Sequence, residues 1–152
     1  MNHPFSDLEF KEIFSRVPRL CVDLVVRTPR GIILTLRSLP TWNNMWHTPG
    51  GTVRYKETIA NAAKRVAKSE LGVAVTILKT LGYMEFPSEE KERGFGWSVS
   101  IALLCEMQSG DLIGKNDEAS DMRAFAELPK NTLPEHKIFL TENWGEIREG
   151  VF

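Results

Sequence analysis

Only two of the 152 residues are cysteine, Cys21 and Cys105. Neither has a second cysteine or a histidine at ligand spacing, which argues against a zinc site. Both sit in apolar, strand-like surroundings and are expected to be small buried hydrophobes in a reducing cytoplasm. No apolar run approaches the roughly 20 residues of a membrane-spanning helix. Met1 to Phe10 carries acids and no apolar stretch, so no secretory leader is expected there. An excess of one charge is also missing: 19 basic and 20 acidic side chains leave a net charge of −1. That balance argues against a nucleic-acid footprint, which needs a strong basic excess, and against a surface tuned to anionic lipid. Internal repeats, low-complexity tracts and linkers are lacking, so residues 1–152 are read as a single domain.

What is present suits an ordinary folded chain, with 42% hydrophobic and 26% charged residues. A chain of this size buries about 68–70% of its unfolded surface, enough for a self-sufficient core. Ser6 and Glu9 have capping-box spacing, and Phe10, Ile13, Phe14 and Val17 follow at helical intervals before Pro18. Leu20–Arg27 and Ile32–Arg37 read as a hairpin around Thr28-Pro29-Arg30-Gly31. Met45–Thr48 reads as a short extended piece. Ile59–Leu71 is predicted as a helix with Ile59, Ala62, Ala63, Val66 and Ala67 as its apolar stripe, ended by Gly72. Val73–Tyr83, Phe95–Met107 and Met122–Phe125 read as strands. The charged run Ser88–Gly94 reads as a solvated loop. Pro134 opens a last helix to about Ile147, with Ile138, Phe139, Trp144 and Ile147 expected to face the core. Strands interrupted by helices define a mixed α/β class.

Chemistry concentrates between Gly50 and Val73. A Gly-Gly pair allows close backbone approach, and its carbonyls can serve a hard cation. Glu70 falls at the edge of the buried helical stripe. A carboxylate there is partly desolvated, and a bound Mg²⁺ would offset that cost.

This segment resembles the Nudix box: Gly, five residues, Glu, seven residues, then Arg-Glu-apolar-x-Glu-Glu-x-Gly-apolar. Gly51, Glu57, Arg65, Ala67, Glu70, Gly72 and Val73 fall in register. Val66 and Ser69 stand where the family usually has metal-binding acids. The GDP-mannose mannosyl hydrolase branch makes the same kind of replacement. It is also resembled by Val17–Asp23, by Arg37 at the hairpin end, and by Trp46-His47-Thr48-Pro49-Gly50-Gly51. The resemblance covers roughly Leu20 to Pro129.

The resemblance implies an α/β (α+β) fold, a Nudix-type α/β/α sandwich with a mixed sheet. It implies a cytoplasmic homodimer, paired across N-terminal elements, that uses one divalent cation, Mg²⁺ or Mn²⁺. The substrate would be a nucleotide-sugar, GDP-mannose-like, with no nucleic-acid or membrane partner. Residue by residue, it implies metal ligation by the Gly50 carbonyl, Glu70 and Glu118. Arg37 would neutralise phosphate, and Asp23 would bind a base edge. Arg65 and Glu57 would form a structural pair. Two departures bear on the chemistry. Thr52 replaces an arginine that stabilises the leaving diphosphate, and Ala119 replaces a catalytic histidine. The base for attack at the sugar carbon must then come from Glu118, Asp117, Asp121 or His47, and attack at phosphorus stays open.

Plainer readings stand beside these. Glu70 is a helix-end acid, Glu118 part of a solvated loop, Arg37 a surface charge and Asp23 a buried hydrogen-bonding group. His47 is a packed ring, and His136 is weaker still as a candidate. Trp42, Trp46 and Trp97 are core or base-stacking aromatics, with Trp46 the preferred ligand contact. A nucleotide-binding module without turnover is the alternative outside enzymology.

Overall fold

The architecture is built around one strand, β1 (Arg19–Thr28), in a computed structural model that describes residues 3–152. Its apolar stretch is buried from Cys21 to Val26. One edge pairs along its length with β6 (Ser98–Ser109) in parallel, from Arg19↔Ser98 to Arg27↔Glu106. The other edge is divided. Cys21, Val22 and Asp23 pair antiparallel with β4 (Gly50–Thr52). Only Arg27 and Thr28 pair with β2 (Gly31–Arg37). The hairpin turn is where the sequence puts it, and it needs glycine. Gly31 has φ +126°, and a Cβ there would lie 2.1 Å from the Phe125 carbonyl oxygen.

Beyond that short pairing β2 departs to join β3 (Trp46–His47) and β7 (Ala119–Phe125), both antiparallel. Strand β5 (Ala74–Glu85) closes the far side against β6, also antiparallel. The sheet is therefore mixed, as expected. Divergence of β1 and β2 leaves a fork at its centre.

Alternation along β1 feeds two cores. Val22, Leu24 and Val26 pack with Ala62, Ala63 and Val66 of α2 (Ile59–Val66). Val25 packs from the opposite face with Leu140 of α4 (Pro134–Glu142) and Ile147 of α5 (Trp144–Arg148). Helices thus cover both faces, and each fully buried aliphatic side chain contributes about 1.5–3 kcal/mol. Helix α1 (Asp7–Phe14) starts with the expected capping box: Ser6 Oγ accepts from Glu9 N, and Glu9 Oε1 accepts from Ser6 N. Both cysteines are free and buried. No helix among the described residues is long and apolar enough to cross a membrane.

Four local expectations are corrected. The helix predicted through Leu71 widens into a π-helical turn over Ala67–Leu71. The last helix is two helices, broken at Asn143, whose N–H and side-chain amide both reach the Phe139 carbonyl. Ile138 is exposed because His136 and Leu140, one turn apart, take the inward face. The charged run is not a solvated loop. It forms α3 (Glu89–Arg93), whose first residue, Glu89, is only 1% exposed.

Candidate active site

A cleft of about 310 Å³ fills the fork between β1 and β2. Its walls include Asp23, Arg37, His47, Gly50, Glu70 and Glu118, so the topology gathers residues far apart in sequence. Gly50 is needed where it stands. A Cβ on it would lie 2.7 Å from Asp23 Oδ1 and 2.7 Å from the Val22 carbonyl oxygen. The Gly-Gly pair therefore lets β4 lie close to the Asp23 side chain, besides any ligand.

Glu70 is carried on the π-helical turn, a widened geometry that recurs at functional sites. Asn116 holds it: the Asn116 amide donates to Glu70 Oε2 and to the Glu70 carbonyl, each at 3.0 Å. The Asn116 side-chain oxygen accepts from the N–H groups of Glu118 and Ala119, each at 2.8 Å. One side chain therefore ties the Glu70 turn to the Glu118 loop. Burial, then the Glu118 charge, pushes the Glu70 carboxyl up to about 7, with the Asn116 hydrogen bond and Arg37 opposing. Asn116 is not among the residues expected from the sequence, although an Asn two residues ahead of a strand-leading Glu is an Asx-turn signal.

The two positions where the box lacks acids are filled otherwise. Val66 is 1% exposed and packs on Gly51, where an added Cβ would meet its Cγ2 at 3.2 Å. Ser69 turns its hydroxyl back to the Val66 carbonyl at 3.5 Å. Glu57 and Arg65 form a forked pair at 2.8 and 2.9 Å. Glu57 also accepts from Arg54 N, and Arg65 donates to the Thr52 carbonyl, locking β4 to α2. The Arg65 hydrogen bonds hold the Glu57 carboxyl down at about 2.

Asp23 sits at the floor of the cleft, largely engaged by its own protein. Thr48 Oγ1 donates to Oδ1 at 2.7 Å, Ser100 Oγ donates to Oδ2, and His136 Nε2 lies 3.6 Å from Oδ1. His136 Nδ1 accepts from Thr48 N, so its proton is on Nε2, facing Asp23. Burial pushes the His136 imidazole below its ordinary range. Beside it, His47 Nδ1 donates to the Thr48 carbonyl at 2.7 Å, leaving Nε2 as the acceptor, 3.3 Å from Thr35 Oγ1. Burial, then Arg37 and His136, pushes His47 well below the usual histidine range, so it is neutral.

Arg37 lines the cleft with two of its donors engaged by Thr41, at 2.8 and 2.7 Å, and its guanidinium 5.3 Å from the Trp42 ring. The preferred stacking residue is corrected. Trp46 does not line the cleft; its ring packs edge-on to Phe125 at 4.7 Å in the α4-side core. Trp42 lines the cleft instead. Trp42 has φ +46°, a conformation strained for an aromatic residue. Glu92 and Ser88 hold it, accepting from its backbone N and its Nε1. Trp97 is outside the cleft and 43% exposed. Asp121 is outside it too, bonded to Arg123 Nε.

The donors fit a hard divalent cation. Glu70, Glu118 and Gly50 all line the cleft, so two carboxylates and the Gly50 carbonyl would make an all-oxygen set, and a Glu70 carboxylate disfavoured by burial and by Glu118 would be relieved by positive charge. No cluster of three or more His, Cys, Asp or Glu side chains suited to a metal occurs among the described residues. Backbone carbonyl and water would have to complete the shell, which suits one ion.

A NUDIX domain model matches residues 17–142, and the chain belongs to that family. It is 44% identical over 79 residues to the low-salt glycan biosynthesis protein Agl8 of Haloferax volcanii, covering 52% of this chain and 51% of that protein. It is 27% identical over 123 residues to the ADP-ribose pyrophosphatase of Methanocaldococcus jannaschii, covering 80% and 70%. The chain thus spans about half the length of the first of these relatives. Among solved structures, the MutT NUDIX hydrolase of Burkholderia pseudomallei superposes with a TM-score of 0.73 at 21% identity, over 82% of this chain and 97% of that one. The MutT protein of Methanosarcina mazei Go1 gives 0.72 at 17%, over 87% and 97%. These likenesses establish the fold.

Proposed function

We propose that the chain is a divalent-cation-dependent hydrolase of nucleoside diphosphate sugars, releasing nucleoside diphosphate and sugar, with a GDP-mannose-like substrate favoured. The observation that carries this reading is the pairing of Glu70 with Glu118 in a cleft that also holds Arg37. The Gly50 carbonyl, Glu70 and Glu118 would hold Mg²⁺ or Mn²⁺, which supplies charge neutralisation to the diphosphate. Arg37 adds a guanidinium for phosphate oxygens, with Trp42 beside it in the cleft lining. Asp23 positions the floor through Thr48 and Ser100.

Glu118 is the favoured acceptor for the proton of the attacking water, with His47, whose protonated form is disfavoured by burial and by Arg37, as the second. Glu118 stands beside the cation ligand Glu70. His47 is a neutral imidazole whose tautomer leaves Nε2 as an acceptor. A glycan-biosynthesis relative supports a sugar nucleotide as substrate. The ADP-ribose pyrophosphatase relative, aligned over 80% of the chain, favours a second reading: attack at phosphorus. The reading also includes a homodimer through N-terminal elements, where Leu8 and Val17 are exposed; sedimentation analysis tests it.

The deciding experiment is a panel of nucleotide-sugars with Mg²⁺ in ¹⁸O-water, resolved by mass and phosphorus NMR. Unlabelled nucleoside diphosphate with labelled sugar is expected. Label in a nucleoside monophosphate or a sugar phosphate would move the bond broken to phosphorus. No turnover with Mg²⁺ or Mn²⁺ would leave a nucleotide-binding module.

A further inference from the structure

Arg19, the first residue of β1, and Arg93, the last of α3, both line the cleft. They share one counter-ion. Arg19 Nη2 lies 3.1 Å and Arg93 Nε 3.4 Å from the same oxygen, Glu89 Oε2. The other Glu89 oxygen accepts from Ser98 Oγ at 2.6 Å. Arg19 also donates to Ser98 Oγ and to Thr52 Oγ1, at 3.1 and 3.0 Å. The guanidiniums are 14% exposed and the carboxylate 2%. Two buried cations therefore face one buried anion.

That imbalance is costly where water is scarce. Phe10 offsets part of it, with its ring 5.3 Å from the Arg19 guanidinium and 5.8 Å from that of Arg93. An aromatic face does not replace an anion, and Arg93 Nε is buried without a hydrogen-bond acceptor among the described residues. Of the other cleft carboxylates, Asp23 is engaged by Thr48, Ser100 and His136, and Glu70 and Glu118 are the candidate cation ligands. Arg37 and Arg65 also line the cleft, Arg65 being paired with Glu57.

We propose that Arg19 and Arg93, left with the single shared counter-ion Glu89, form an anion subsite for a phosphate group of the substrate, Arg19 touching it and Arg93 reinforcing the charge. That the phosphate belongs to a nucleoside diphosphate sugar rests on the function proposed above; the subsite itself rests on the arginine pair. Because the anion replaces a missing counter-charge, the subsite binds phosphate without a divalent cation.

The test is isothermal titration of inorganic pyrophosphate into the full chain in EDTA, with circular dichroism and melting as controls. Wild type is expected to bind, Arg19→Leu at least 10-fold more weakly, and Arg93→Met 3- to 10-fold more weakly. Glu89→Gln is expected to bind as well as wild type or better, because it removes the competing anion. A bracing role alone would weaken binding in Glu89→Gln as well, and that result overturns the proposal. Should Arg19→Leu not fold, Arg19→Lys carries the test: it keeps the charge but loses the fork, and binding is expected to fall 3- to 10-fold. Wild type failing to bind pyrophosphate, or folded Arg19 variants binding it unchanged, refutes the subsite even if nucleotide-sugars are hydrolysed. Arg19-dependent binding with no nucleotide-sugar turnover sustains the subsite and refutes the function proposed above.

Discussion

Replacing Glu57 by Gln removes the charge from the pair that joins β4 to α2. The native carboxyl is held at about 2, against an ordinary 4.5, chiefly by the Arg65 hydrogen bonds. That displacement corresponds to a ceiling of about 3 kcal/mol. The pair lies at the rim, with side chains 15% and 21% exposed, so solvent screening lowers it to about 1–2 kcal/mol. At about 2–4 °C per kcal/mol for a domain of this size, melting should fall by roughly 2–8 °C at pH 7. The sign with pH follows from the depressed value. The contribution is full above 4.5 and is lost as the pH falls through 2, so wild type and variant converge as acid is added. Urea denaturation of both proteins at pH 7 and at stepped pH values down to 3 measures this. A stability difference that does not narrow below pH 4.5 would mean that Glu57 acts by packing, and would refute the electrostatic argument.

Glu70→Gln should abolish the rise in melting temperature on adding Mn²⁺ and lower hydrolysis at least 100-fold, while the cation-free protein gains stability from losing a disfavoured buried charge; thermal shift with and without Mn²⁺ shows both. Asn116→Ala removes the tie between Glu70 and the Glu118 loop, four hydrogen bonds in all. It should weaken Mn²⁺ binding about 10-fold by calorimetry and cost about 1–3 kcal/mol in urea. Thr48→Val strips a donor from buried Asp23 and should destabilise by about 1–3 kcal/mol in the same assay, with Thr48→Ser restoring most of it.

Local signals survived into the structure because they depend on few residues. The Ser6–Glu9 capping box, the Gly31 turn and the 51–73 spacing are each set by near neighbours and by backbone conformation. The burial of Glu89 was illegible because it depends on Arg19 and Ser98, brought in by β1 and β6. The role of His136 is hidden in the sequence for the same reason: its partner Asp23 lies at the other end of the chain. The exchange of Trp46 for Trp42 follows from strand β3, which turns Trp46 toward Phe125, while Trp42 is held by α3, a helix hidden in a run of charges. The π-helical turn bearing Glu70 has no periodicity signal, since a single widened turn leaves the apolar spacing of α2 intact. The cleft gathers Glu70 with Gly50, Arg37 and Glu118.

The proposed function requires one divalent cation, held between Glu70 and Glu118. Electron paramagnetic resonance titration of Mn²⁺ into wild type, Glu70→Gln and Glu118→Gln tests it most directly. One tight site per chain is expected, lost or weakened at least 10-fold in each variant, with nucleotide-sugar hydrolysis lost in parallel. Two or more tight sites per chain, or a site that survives both substitutions, would contradict it.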